Sequence, residues 1–299
     1  MPDKLLDRKP VVERYLNQTP RSLSAFSFTN IFAWKDFFRF NFKVIDECLC
    51  VFAKNQIGSF LYLPPLGKGI SPDVIDECFE MMEEINRGGG VTRIENVGIE
   101  GLPLFPTDKF THYKKGYEYC YYRDDIASLR GNAYKSKRSS YNRFASHYQC
   151  RYVPYEEGMI GECLNLYNRW ADARKEKQPE EDIYCSMLDE NRKVHEAVLK
   201  HYQQLGLTGR VVMINGNIEA YTLGFPVNPA MFCVLFEVVD LDVKGLATYI
   251  FRELCRDAAV LRYKFINGMD DFGLDNIRQT KMSFHPGALL PLYVVTKRP

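Results

Sequence analysis

The chain has 299 residues, 46% hydrophobic and 26% charged, with a formal net charge of +1. That length suits one large or two ordinary domains with self-sufficient cores. The near-neutral balance excludes a global field for nucleic acid or membrane, so any such partner needs a local patch.

Nine cysteines include one C-x-C, at Cys48 and Cys50, and no paired C-x-x-C motifs, so neither a disulfide framework nor a zinc ribbon is indicated. The histidines are too dispersed for a metal site. The charged N-terminal segment is no secretory signal, and no stretch nears the roughly 20 apolar residues of a membrane span. A cytoplasmic protein with free thiols is the expectation.

In chain order, Val11–Leu16 reads as a short helix. The aromatic-rich stretch Ser24–Phe42, carrying Lys35, Asp36 and Arg39, reads as an amphipathic helix packed on a sheet. Cys48–Ala53 and Ser59–Leu63 read as a hairpin closed by a polar turn. Ser71 caps a helix with Pro72 at its first position and Val74, Ile75, Cys78, Phe79, Met82 and Ile85 on its buried face, stopped by Gly88, Gly89 and Gly90. Val91–Val97 and Tyr117–Tyr122 follow as strands.

Arg130–Arg151 holds six basic residues and no acidic one. It reads equally as a solvated helix face or as an anion-binding patch for phosphate or nucleic acid. Next come a strand at Tyr152–Pro154, a helix at Glu157–Ala173, a solvated loop containing Pro179, and a long helix at Ile183–Leu205 ending at Gly206. Arg210–Ile214 and Ile218–Phe225 are joined by Asn215-Gly216, a strong hairpin signal.

Met231–Val239 is an apolar run broken only by Glu237, which reads as a strand buried on both faces. A turn with Gly245, an amphipathic helix at Leu246–Leu261 and a strand at Lys264–Asn267 complete a βαβ unit. In Leu274–Met282, read as a helix, Arg278 and Lys281 are three residues apart and share a face. An unpaired carboxylate inside a strand is costly, so Glu237 is expected to meet Asp271, Arg278 and Lys281 in one cavity. The alternative is a solvated helix with local ion pairs. The element order gives an α/β fold with mixed sheets: two tandem GNAT-like acyltransferase domains, residues 1–150 and 151–299.

Several stretches together resemble one family: FTNIFAWKDFF at Phe28–Phe38, YLPPLG at Tyr62–Gly67, RIENV at Arg93–Val97, LRGNAYKSKRSSYNRF at Leu129–Phe144 and INGMDDFGLDNIRQTKMSFHP at Ile266–Pro286. The chain is similar, from about Ser24 to Val295, to the C-terminal domain of phosphatidylglycerol lysyltransferases. The resemblance implies tandem GNAT-like domains and transfer of an aminoacyl group from aminoacyl-tRNA, with charged tRNA as partner and a lipid or another small molecule as acceptor.

The chemistry of such a transfer assigns roles to individual residues, and the resemblance adds Lys137, Arg138 and Asn142. Lys281 and Arg278 bind phosphate or the developing oxyanion, and Glu237 and Asp271 hold the α-ammonium group or take the acceptor's proton. Lys137, Arg138 and Asn142 hold phosphate or the CCA end, and Asp240 is counted with the substrate-binding residues. Family members carry Glu-Lys where this chain has Glu237-Val238. No organic cofactor or metal is expected. An acyl-CoA-dependent N-acyltransferase, or a non-catalytic protein that binds an anion or tRNA, are the alternatives.

Overall fold

The computed structural model describes residues 4–87, 89, 91–176 and 182–298. The fold is mixed α/β and divides into two compact units. One comprises the chain up to Tyr119, Met269–Ile277 and the chain from Leu289 onward; the other comprises Cys120–Gly268 and Arg278–Ala288. Residue 150, the expected meeting point of the halves, lies within the second unit.

The first unit begins with α1 (Lys9–Leu16) and α2 (Phe28–Ala33). Ser27 caps α2 by accepting from the Asn30 N–H at 3.0 Å, and all six helical residues are buried. The expected helix over Ser24–Phe42 is therefore corrected. Only its middle is helical, because Arg39–Ile45 forms strand β1, paired antiparallel with β2 (Cys48–Asn55) from Arg39↔Lys54 to Ile45↔Cys48. Arg39-Phe40-Asn41-Phe42-Lys43-Val44 alternates polar and apolar with period two, the pattern of a strand with two unlike faces.

Strand β3 (Gly58–Leu61) completes the expected hairpin with β2. Helix α3 (Pro72–Ile85) starts where Ser71 Oγ accepts from the Val74 N–H at 3.4 Å, and buries Val74, Ile75, Cys78, Phe79 and Met82. Ile85, expected on that face, is 48% exposed, because the helix ends there. Asn86 caps it through its N–H to Met82 O and ties it to the hairpin with side-chain bonds to Ser59 N and O, both 2.8 Å. Gly88 and Gly90 lie outside the described residues.

Strands β4 (Ile94–Val97) and β5 (Phe110–Tyr122) follow, and β5 runs on past Tyr119 into the second unit. There α4 (Arg123–Ser128), α5 (Lys135–His147), β6 (Cys150–Pro154), α6 (Ile160–Lys175), α7 (Asp182–Lys200) and α8 (Tyr202–Leu205) precede the hairpin β7 (Thr208–Ile214) and β8 (Asn217–Asn228). The Pro179 loop is outside the described residues. The single long helix expected over Ile183–Leu205 is two, separated at His201, and the second closes on Gly206 at φ +72°. Asn215 and Gly216 make the hairpin turn with φ of +52° and +89°.

Strand β9 (Met231–Val239), helix α9 (Leu246–Arg256) and strand β10 (Phe265–Asn267) form the expected βαβ unit, β10 lying parallel to β9. Helix α9 stops five residues earlier than expected. Asp257 leaves the helix in an extended conformation, held by Arg210 Nε at 2.6 Å, Arg210 Nη2 at 2.9 Å and Tyr152 OH at 3.2 Å. The Arg210 guanidinium holds the Asp257 carboxyl below its usual range despite burial. A depressed carboxylate stabilises the fold above its unfolded pKa and loses that contribution as pH falls through the folded one. Because Asp257 is part-buried and keeps its bonds from Tyr152 OH and the Ala259 N–H, Arg210→Ala should cost about 1–3 kcal/mol at neutral pH, and the deficit should shrink in acid, as read by urea unfolding at several pH values.

Helix α10 (Asp275–Met282) and β11 (Ala288–Lys297) complete the chain of elements. Strand β11 was not anticipated; it lies between β4 and β5 in the first unit, whose strand order is β1-β2-β3-β4-β11-β5. The second unit orders the end of β5 with β10-β9-β8-β7-β6. Among the described residues, no helix is long and apolar enough to cross a membrane.

Candidate active site

Strand β9 carries Glu237 at its C-terminal end, where ligand sites of α/β sheets open. The β8–β9 register shifts at Leu223/Gly224, with Leu223 opposite Phe236 and Gly224 opposite Val234, so Leu235 is the extra residue of a bulge. Only glycine fits at Gly224, since a Cβ there would lie 2.3 Å from Cys233 O. Thr222 is paired with Glu237, and its Oγ1 donates to Phe236 O at 2.9 Å. On the other face, Phe236 stacks on His195 with ring centroids 3.7 Å apart, and Tyr221 OH lies 2.7 Å from His195 Nδ1. The backbone on either side of Glu237 is thus fixed by packing.

The face of β9 that bears Glu237 is covered by α9 and α5. Gly245 caps α9 with φ +92°, and its backbone lies so close to α5 that a Cβ would be 2.4 Å from Ser140 O. Phe144 of α5 is buried with Val212, Ile214, Ala220, Leu246 and Ile250. Gly245→Ala should cost about 2–4 kcal/mol, combining a left-handed backbone with a clash, measurable as a lower urea midpoint.

This packing brings Lys137 of α5 and Lys281 of α10 into the electrostatic surroundings of Glu237. Glu237 keeps some accessible surface, but protein atoms ring its carboxyl closely, and burial pushes it up to about 8 against the opposing pull of Lys281 and Lys137. The Lys137 ammonium lies 3.7 Å from the Phe284 ring centroid, and burial lowers its pKa while Glu237 raises it. Among the described residues, neither the Glu237 carboxyl nor the Lys137 ammonium has a hydrogen-bond or ion-pair partner. Lys281 is anchored: its ammonium donates to Gly268 O, and its own carbonyl accepts from Tyr121 OH at 3.0 Å.

The remaining candidates have surroundings of their own. Arg138 points at its own turn, donating to Leu129 O and to Gly131 O, the latter at 2.6 Å. Asn142 and Arg278 are exposed. Asp240 sits 3.6 Å from Arg169 and accepts from Asp242 N at 2.9 Å, so its carboxylate closes a surface turn. Asp271 belongs to the first unit, where it accepts from Tyr119 OH at 2.5 Å and from the Gly273 N–H at 2.9 Å. Its loop holds Met269 and Phe272 at positive φ, a strained backbone. Sequence reasoning missed Phe284, which lies beneath Lys137, and Tyr119, which orients Asp271.

A carboxyl raised by burial can take a proton, and two cations beside it can stabilise a developing anion. That is the equipment acyl transfer from an activated ester requires.

Known proteins place this geometry in context. A family profile described as phosphatidylglycerol lysyltransferase, C-terminal, matches residues 16–296. A conserved protein of unknown function from Bacteroides thetaiotaomicron is 25% identical, with a TM-score of 0.86 over 98% of this chain and 97% of that one. The structure described as L-PGS from Bacillus licheniformis is 18% identical, with a TM-score of 0.67 over 98% and 91% of the two chains. A tandem GNAT protein from the clavulanic acid biosynthesis pathway shares the fold at 9% identity and a TM-score of 0.52, over 98% and 96%. No curated protein matches the sequence.

Proposed function

From the premise that the chain belongs to the phosphatidylglycerol lysyltransferase C-terminal family, with a tandem GNAT-like acyltransferase fold, we propose that it moves an aminoacyl group from a charged tRNA to a hydroxyl or amine acceptor. The observation that carries this reading is the unpartnered Glu237 carboxyl beside Lys137 and Lys281. The acceptor attacks the ester carbonyl while Glu237, in its ionised form, takes the proton. Lys281, held by Gly268 O, and Lys137, free to donate, face the oxyanion or a phosphate. The ester C–O bond then breaks, and the proton returns to the leaving ribose oxygen. Arg278, exposed on α10, suits a phosphate of the donor.

The acyl-CoA alternative has less support, because the turn before α9 that would cradle a pyrophosphate lies against Ser140 of α5. The test is to incubate the purified protein with tRNA charged with labelled amino acids and a panel of lipid and small amine acceptors. Label is expected to leave tRNA faster than in buffer and to reach an acceptor. Tight tRNA binding without turnover across the panel would favour the binding-protein alternative.

A further inference from the structure

We infer that Cys50 and Cys78 are an oxidisable pair, a latent covalent link between strand β2 and helix α3 of the first unit. The alternation of β2 sends Cys48 and Cys50 to the same face. Cys78 lies on the buried face of α3, and its Sγ is 3.4 Å from Cys50 Sγ, close enough for a thiol–thiol hydrogen bond. Cys50 in turn donates weakly to Cys48 O at 3.8 Å. All three cysteines are buried, at 0% exposure. Among the described residues, no set of three cysteine, histidine or acidic side chains is arranged to hold a metal. Two touching thiols on different elements are open to two-electron oxidation.

With hydrogen peroxide as oxidant, one thiolate attacks a peroxide oxygen, the O–O bond breaks, and hydroxide leaves to become water. The second thiol displaces the sulfenic hydroxyl as a second water, and the S–S bond forms; two thiols and one peroxide give one disulfide and two waters. Cys50 is held far above the usual thiol range by its bond to Cys78 and by burial, so the closed fold reacts slowly. The rate follows local opening of α3 away from β2. Once formed, the bond closes the loop containing the β2–β3 hairpin and the start of α3, restraining the unfolded chain.

The full-length protein should be treated with excess hydrogen peroxide, with and without mild urea, then quenched, denatured, alkylated and mapped by mass spectrometry without reduction. The expected result is a Cys50–Cys78 linked peptide, formed several-fold faster in mild urea, with a melting temperature higher by roughly 5 °C that reverts on reduction. In Cys78→Ala the linked peptide and the melting shift should both vanish. Full alkylation of Cys50 and Cys78 after other cysteines have oxidised, or a link from Cys78 to Cys48 instead, would overturn the inference; because this readout uses the unaltered chain, it does not depend on a variant folding.

Discussion

Replacing Glu237 with glutamine is expected to cut aminoacyl transfer by about 10²–10⁴-fold, the range lost with a general base, while stabilising the fold at alkaline pH. The two effects share one cause. Burial raises the carboxyl from 4.5 to about 8, so between those values the folded state holds a proton that the unfolded state has released. Unfolding then releases protons, and stability falls as pH climbs through that window. Glutamine keeps the shape and removes the titration, so Glu237→Gln should match the parent near pH 5 and exceed it by about 1–3 kcal/mol above pH 8. The transfer rate checks the first effect, and urea unfolding across pH the second. A variant that keeps its rate, or that gains stability toward acid instead, would falsify the assignment.

Lys281→Met should lower the transfer rate by about 10²–10³-fold, the loss typical of one preorganised donor to an oxyanion. The shape of the pH profile separates this from simple damage. Lys281 is the larger of the two influences that draw the Glu237 pKa down. Without it the carboxyl titrates higher, and the limb of the rate profile that rises with pH moves to more alkaline values. Lys137→Met should move it the same way by less. An unshifted limb in Lys281→Met would mean that the lysine acts only through its bond to Gly268 O.

The βαβ unit around Glu237 was legible because its signals are local: an unbroken apolar run, a turn glycine and a clean helical stripe in Leu246–Arg256. The hairpins at Lys54–Gly58 and Asn215-Gly216 were legible for the same reason. Strand β11 was not. ALLPLYVVTK carries a proline and no clean alternation, and its partners β4 and β5 are supplied by segments more than 150 residues earlier. Period-two alternation in Arg39–Val44 was available and was masked by the density of aromatic residues around it.

The site divides along the same line. Lys281 follows Glu237 in the same region, and its place near that carboxyl could be argued from topology. Lys137 is one hundred residues before Glu237 and reaches it only because Gly245 lets α5 lie against the start of α9. The neighbouring Arg138 carries the same charge but turns to carbonyls of the preceding turn. Nothing in the run Lys137-Arg138 says which of the two faces inward, since the helix phase is set by where Phe144 packs. At Val238, where the resemblance implies a lysine, this chain has no cation, and Lys137 brings one to the Glu237 carboxyl from another element.

The position of β11 carries a consequence for synthesis. A ribosome delivers α1 through β5 first, yet β4 and β5 acquire the strand that lies between them only when Ala288–Lys297 has been made. Until then each has an edge with unpaired backbone groups, a site for mispairing. The segments of the second unit up to Gly268 emerge meanwhile, with their hairpin and βαβ contacts close in sequence. Assembly thus runs against the order of translation, the portion born first being closed last, and growing chains stalled before residue 288 should be the species most dependent on chaperones.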